Sequence, residues 1–292
     1  VDSNGLPAPE DVSHFDSQFA TIAGLAMLHN IDPNGQIALS TPEGGWADQG
    51  DSFFFTGLTL AAFDCAPGTP LLAVILKGIY DNGGMIPSHN PLLPNFTVTS
   101  RDQVTGVMLG LVERWRRCPA DRPAIADAWR AHIAYVAANG GNLGPTADAD
   151  MLSLRWLWGQ VGQYFGVGGA GGSEDSFEVS LVATAASINA AHSACYPVHT
   201  GTLQAIIAAK IHQPIAGKGA FCDATRGLGL PLTEWMCGRA TGQSWLKQFE
   251  PDVWIDQNQR CPNWEGKPDA GGNMTPGVDF FEVYRLAAEG NS

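Results

Sequence analysis

Residues 50–63 read "GDSFFFTGLTLAAF". Past Ser52 the run is apolar on nearly every side, which predicts a helix buried all round rather than one with a single core-facing stripe. Its N-terminal approach, "STPEGGWADQGD" at 40–51, crowds Glu43, Asp48 and Asp51 beside Trp46. Three carboxylates and an indole at the mouth of a buried helix admit two readings. They cap the helix, or they line a pocket that does chemistry.

Working outward, helical spacing dominates. Residues 14–29 set Phe15, Phe19, Ile22, Leu25 and Ala26 on one stripe. A short helix is expected after Pro70 ("LLAVILKGIY"). "SRDQVTGVMLGLVERWRR" at 100–117 opens with Ser100 and Gln103 at capping-box spacing. Residues 122–138 carry one apolar stripe, 149–165 and 174–191 are rich in apolar residues, and 200–211 adds a further helix. Beyond Gly217 come short helices at 231–240 and 242–249, a long loop at 261–274 and a closing helix at 275–289. No clear alternating strand occurs, so the fold class is all-α, and no linker-like shift in composition divides residues 1–292. About ten helices, some apolar all round and some striped, fit an inner ring covered by an outer ring. A solenoid would repeat every 34–47 residues or so, and no such period is visible. The expectation is one (α/α) toroid domain of paired inner and outer helices with short loops.

Gly106 and Gly110 sit four apart in the 101–117 helix, and Gly57 lies inside the 51–63 helix. Glycine costs about 1 kcal/mol per helical position relative to alanine, so such glycines mark where another backbone comes close. If inner helices run alike, Asp48 and Asp51 would meet Arg101, Asp102 and Gln103 on a common rim. Asp48 reads as a cap. Glu43, in a Gly-rich loop beside Trp46, suits a carboxylic acid of raised pKa, and Arg101 suits keeping Asp102 ionised. Paired carboxylates of this kind are what glycoside hydrolysis requires, one to protonate the departing oxygen and one to activate water or attack the anomeric carbon. Trp46, Trp156, Trp158 and Trp264 offer flat faces for sugar rings. The plainer reading keeps the acids as N-caps and first-turn residues and the tryptophans as core.

Composition narrows the partners. The formal net charge is −13, which disfavours nucleic acid and anionic membrane surfaces. Charged residues are only 15% of the chain, against a usual quarter. With 45% hydrophobic residues this describes a folded body, not a disordered one. The chain starts at "VDSNGLPAPEDV" without a methionine, as an exported and processed protein would. Six cysteines allow 15 connectivities. Cys65 and Cys118 each follow an apolar run and precede a proline turn, so they suit a bridge; Cys222 with Cys237 closes a short loop, leaving Cys195 with Cys261. Free buried thiols in a reducing compartment are the alternative. No zinc-ligand spacing, P-loop or dinucleotide fold is legible, so neither metal nor cofactor is expected. The expected protein is a secreted or periplasmic monomer that takes a polysaccharide or oligosaccharide.

"GDSFFFTGLTLAA" at 50–62 and "SRDQVTGVMLGL" at 100–111 resemble inner-helix starts of the six-hairpin, or (α/α) toroid, carbohydrate-active enzymes, which include glycoside hydrolases and polysaccharide lyases. "PEGGW" at 42–46 is loosely similar to a Glu-Gly loop that presents a general acid in some members. The resemblance spans roughly residues 14–165 and singles out no one family. It implies Glu43, Asp51 and Asp102 as candidate acids or bases, with Trp46, Asp48, His89, Arg101, Gln103 and Trp264 around the substrate. Elimination from a uronate is the competing chemistry, using His89 or Tyr80 as base with Asn90 and Arg101 against the carboxylate. A binding protein without turnover is the third. The "GDS" at 50–52 lacks the strand and the later blocks that GDS-type esterases need.

Overall fold

The computed structural model describes residues 5–41, 44–47, 51–88, 99–144, 152–169, 181, 195–215, 217–227, 230–247 and 278–290. They are overwhelmingly helical, as the sequence pattern predicts. The exceptions are an antiparallel pair of two-residue strands, β1 (Leu39–Ser40) and β2 (Trp46–Ala47), and a bridge between Ile31 and Ile37. The chain divides into two compact units. One comprises Val1–Asn30, Leu39–Ala47 and Glu174–Ser292, the other Ile31–Ala38 and Asp48–Ser173.

The second unit holds α2 (Ser52–Ala62), α3 (Cys65–Asp81), α4 (Arg101–Arg117), α5 (Arg122–Ala138) and α6 (Leu152–Tyr164). α2 lies along the length of α4, while α3 packs on α2 and α5, and α6 packs on α4. Consecutive helices thus alternate between two layers. α2 and α4 are buried on almost every side, from Ser52 to Ala62 apart from Phe55 and from Asp102 to Arg114. α5 buries one stripe, Ile125, Trp129, His132 and Val136 among its residues. The all-round apolar and striped patterns therefore separate the covered helices from the covering ones.

Glycine sets how close α2 and α4 come. A Cβ on Gly57 would stand 2.3 Å from the Gly106 carbonyl, and one on Gly110 would stand 2.5 Å from the Gly57 carbonyl oxygen. Backbone meets backbone, the approach that the glycine spacing predicts. Because Phe54 meets Gly106 while Gly57 meets Gly110, both chains advance in the same direction, and both N-termini lie at one end.

The opposite end is fastened by arginines. Buried Arg114 donates from Nη1 to the Asp64 carbonyl (3.1 Å), from Nη2 to Thr69 Oγ1 (3.0 Å) and from Nε to Asp121 Oδ2 (2.6 Å). Arg117 Nη2 donates to the carbonyls of Ala61 and Phe63, at the end of α2. A Cys65–Cys118 disulfide ties the start of α3 to the end of α4. α3 begins five residues before the expected start at Pro70. Pro67 falls in its first turn, where no intrahelical donor is needed, and Arg114 braces that turn through the Asp64 carbonyl and the Thr69 hydroxyl.

In the first unit, α1 (Asp16–His29) packs on α11 (Val278–Glu289). Phe19 stacks on Tyr284 at 4.5 Å and meets Phe281 edge-on at 5.4 Å. The expected α1 stripe is buried at Phe15, Ile22 and Ala26. α7 (Cys195–Lys210) joins α9 (Pro231–Met236) through a Thr202–Thr233 hydroxyl bond of 2.8 Å. Glu10 accepts from Gly242 N and Gln243 N at the start of α10 (Gly242–Leu246). A Cys222–Cys237 disulfide links α8 (Lys218–Ala224) to the end of α9. Arg239 pairs with both oxygens of Glu234 at 2.7 and 2.8 Å. Two of the expected cysteine pairings are thus present, and two disulfides fit an oxidising compartment. Cys261, needed for the third, lies outside the described residues, as does the 174–191 helix except Leu181. No helix among the described residues is long and apolar enough to cross a membrane.

Candidate functional site

The parallel contact of α2 and α4 brings residues fifty apart in the chain to one place. Asp51 occupies the N-cap position of α2, yet its carboxylate makes no cap bond. It accepts instead from Gln103 Nε2 at 2.8 Å. The same nitrogen lies 3.4 Å from Asp102 Oδ2. One side-chain amide thus stands between two carboxylates. Ser100, the N-cap residue of α4, makes no cap bond either. Its hydroxyl points to Asp102 Oδ1 and Gln103 Oε1. The capping-box spacing at 100–103 therefore builds a side-chain cluster, not a cap. Asp102 is 6% exposed and Gln103 2%, whereas Asp51 is half-buried.

Arg101 opens α4 beside this cluster, and its Nε is buried without a hydrogen-bond partner. The Ser52 and Ser88 hydroxyls are buried in the same condition. Ser88 reaches α2 through its carbonyl, which accepts from Phe53 N at 3.1 Å. Ser52 and Arg101 adjoin Asp51 and Asp102 in sequence, and Ser88 is tied to the first turn of α2. Ser52 and Ser88 escape sequence reading, since a serine in "GDS" or "PSHNP" looks like turn chemistry. Among the described residues, no group of three or more His, Cys, Asp or Glu is placed to hold a metal ion.

The other expected site residues fall elsewhere. Glu43, Asp48, His89 and Trp264 lie outside the described residues. Trp46 is half-buried in β2 and belongs to the first unit. Trp156 and Trp158, expected to offer flat faces to sugar rings, are core instead, as the plainer reading of the tryptophans has it. They are 6% and 3% exposed in α6, and Trp158 packs against Trp129 at 6.4 Å. Tyr80 is exposed near the end of α3. Partial burial and Asp127 push its phenol above the usual value, the wrong direction for a base that must lose its proton.

No family model matches this chain, and neither does any curated protein or solved structure. The site therefore rests on its own geometry. That geometry brings two carboxylates to one side-chain amide, with the unpartnered Ser52 hydroxyl and Arg101 Nε on the residues adjoining them in sequence.

Proposed function

We infer that the chain is a secreted glycoside hydrolase acting on a polysaccharide or oligosaccharide, with Asp51 and Asp102 as its acid/base pair. The carrying observation is Gln103 Nε2, 2.8 Å from Asp51 and 3.4 Å from Asp102. A glycosidic bond needs two carboxyl groups, one giving a proton to the departing oxygen while the other attacks or activates water. A residue that fixes both fixes their spacing, and reaction rates depend on such spacing. The alternation of covered helices α2 and α4 with covering helices α3 and α5 supports an (α/α) toroid, whose inner-helix N-termini form the rim of the cleft. Glu43 remains the third candidate acid, Arg101 and Gln103 are substrate contacts, and two disulfides support export.

The separation of the two carboxyl groups decides the stereochemistry, about 5 Å in a retaining pair and roughly 6.5–9.5 Å in an inverting one.

A panel of neutral glucans, chitosan and peptidoglycan tests it, with reducing-sugar release as the readout. Asp51→Asn, Asp102→Asn and Glu43→Gln are compared singly with the native chain. Activity that vanishes with Asp51 or Asp102 supports the pair, and activity surviving both changes overturns it. An ultraviolet-absorbing unsaturated product would select elimination instead. Binding without turnover on every substrate would leave a carbohydrate-binding protein.

A further inference from the structure

α5 carries a histidine that the carboxylate site does not use. His132 is fully buried. Its Nδ1 lies 2.8 Å from the Gly84 carbonyl oxygen. A carbonyl only accepts, so Nδ1 carries the proton and Nε2 keeps its lone pair. Nε2 is buried with no hydrogen-bond partner. Trp129 and Trp158 stand edge-on to the ring at 5.3 and 6.0 Å, and Tyr135 stacks at 6.5 Å. A second proton, on Nε2, would be buried with nothing to receive its hydrogen bond, a costly arrangement.

The group that His132 holds leads directly to the start of α2. Gly84 has φ +103°, and a Cβ there would stand 2.3 Å from the Ala131 carbonyl oxygen, so this turn is pressed against α5. From Gly84 the chain passes through buried Met85 and Ile86 to Ser88. The Ser88 carbonyl accepts from Phe53 N at 3.1 Å. That bond satisfies one of the amides that a helix start leaves open, two residues from Asp51.

We propose that His132 is an acid-released latch: neutral, it holds residues 82–88 through the Gly84 carbonyl and, through Ser88, the start of α2 with Asp51, whereas in acid a second proton on Nε2, which has no acceptor while the segment is closed, favours the open segment in which water solvates it. Burial holds the imidazole down at about 4, from an ordinary 6.5, against the smaller opposing effect of the Gly84 bond. No charge contributes to its titration. The charged groups on the elements around it pair elsewhere: Lys77 with Asp81 on α3, Arg130 with Asp127 on α5, and Arg155 of α6 with Asn142. Tyr135, the ionisable ring stacked on it among the described residues, has a phenol that burial pushes up and keeps neutral. With the segment open His132 takes its proton near its ordinary 6.5, and with it closed near 4. The latch is therefore at full strength above pH 6.5 and weakens as pH falls toward 4. Its opening constant rises about tenfold per pH unit, roughly 300-fold in all.

Amide hydrogen exchange of the full chain, corrected for intrinsic rates, tests this between pH 7 and 4 without reference to catalysis. Gly84, Met85 and Phe53 are expected to lose protection together, by up to roughly 300-fold, while Cys118 at the arginine-fastened end keeps its own. Equal loss at both ends, or a flat profile at Gly84, overturns the latch. His132→Asn offers a side-chain N–H at the Nδ1 position without titrating, and its profile at Gly84 is expected to be flat. The native acid profile in His132→Asn also overturns the proposal. Should that variant not fold, the native profile decides alone.

Discussion

The α2/α4 pair ends in two different ways. At its C-terminal end, Arg114 and Arg117 direct their hydrogen bonds mainly at main-chain carbonyls, those of Asp64, Ala61 and Phe63, and a disulfide closes the corner. At its N-terminal end, Asp51, Ser100, Asp102 and Gln103 bond to one another, and neither N-cap residue caps its helix. The arginine end uses side chains to hold backbone. The acidic end leaves helix starts without their side-chain caps, each worth about 1 kcal/mol, and keeps carboxylates grouped instead. What sets the acidic end apart is the shared amide and not the missing caps, since Asp64 and Asp121, the N-cap residues of α3 and α5, make no cap bond either. The comparison teaches where to look when every carboxylate in a sequence resembles a cap.

Substitutions break or sharpen this contrast. The largest effect is expected for Asp102→Asn and Asp51→Asn, each lowering kcat/KM by roughly 10²–10⁴ with thermal melting nearly unchanged. A large loss of melting temperature would mark both as structural and erase the distinction between the ends. Gly57→Ala comes next, because its Cβ would meet the Gly106 carbonyl carbon and oxygen at 2.3 Å, atoms that cannot move aside. Urea denaturation should show about 3 kcal/mol of destabilisation. Arg114→Met should cost about 2 kcal/mol in the same measurement, since several hydrogen bonds from a charged group are lost, yet leave kcat unchanged in the folded fraction. Gln103→Ala is the mildest, a fall in kcat of about tenfold, or roughly 1.4 kcal/mol, with stability close to native. An unaltered kcat there would remove Gln103 from the site.

Much of the scaffold is legible in the sequence, because its signals are periodic and local. The all-round apolar run at 52–62, the single stripe of 122–138 and the four-residue glycine spacing each read directly as burial or close approach. The Cys65–Cys118 pairing follows from cysteines next to helix ends, and the Cys222–Cys237 pairing from the short loop it closes. The site is less legible. Asp51 and Ser100 have the residue types of caps, and local pattern cannot show that their partners lie on another helix. Gln103 fits a capping box so well that its bond to Asp51, across 52 positions, leaves no local trace. The start of α3 is hidden for a similar reason. Two prolines argue against a helix before residue 70, and the arginine that supports those turns comes from α4. His132 is hidden too, since a histidine within an apolar stripe gives no sign of which carbonyl it holds.

The seam of Gly57, Gly106 and Gly110 has a consequence for temperature. Where two helices are held apart by side chains, the gap depends on which rotamers those chains populate, and warming redistributes them. At this seam little side chain is left to redistribute, because backbone of Gly57 stands against backbone of Gly106 and Gly110, with the Phe54 ring beside Gly106. Thermal expansion of the unit must then be taken up in other contacts. The spacing between Asp51 and Asp102 should stay nearly constant until the seam itself parts, so the pair would keep its geometry up to the melting transition and lose it abruptly there.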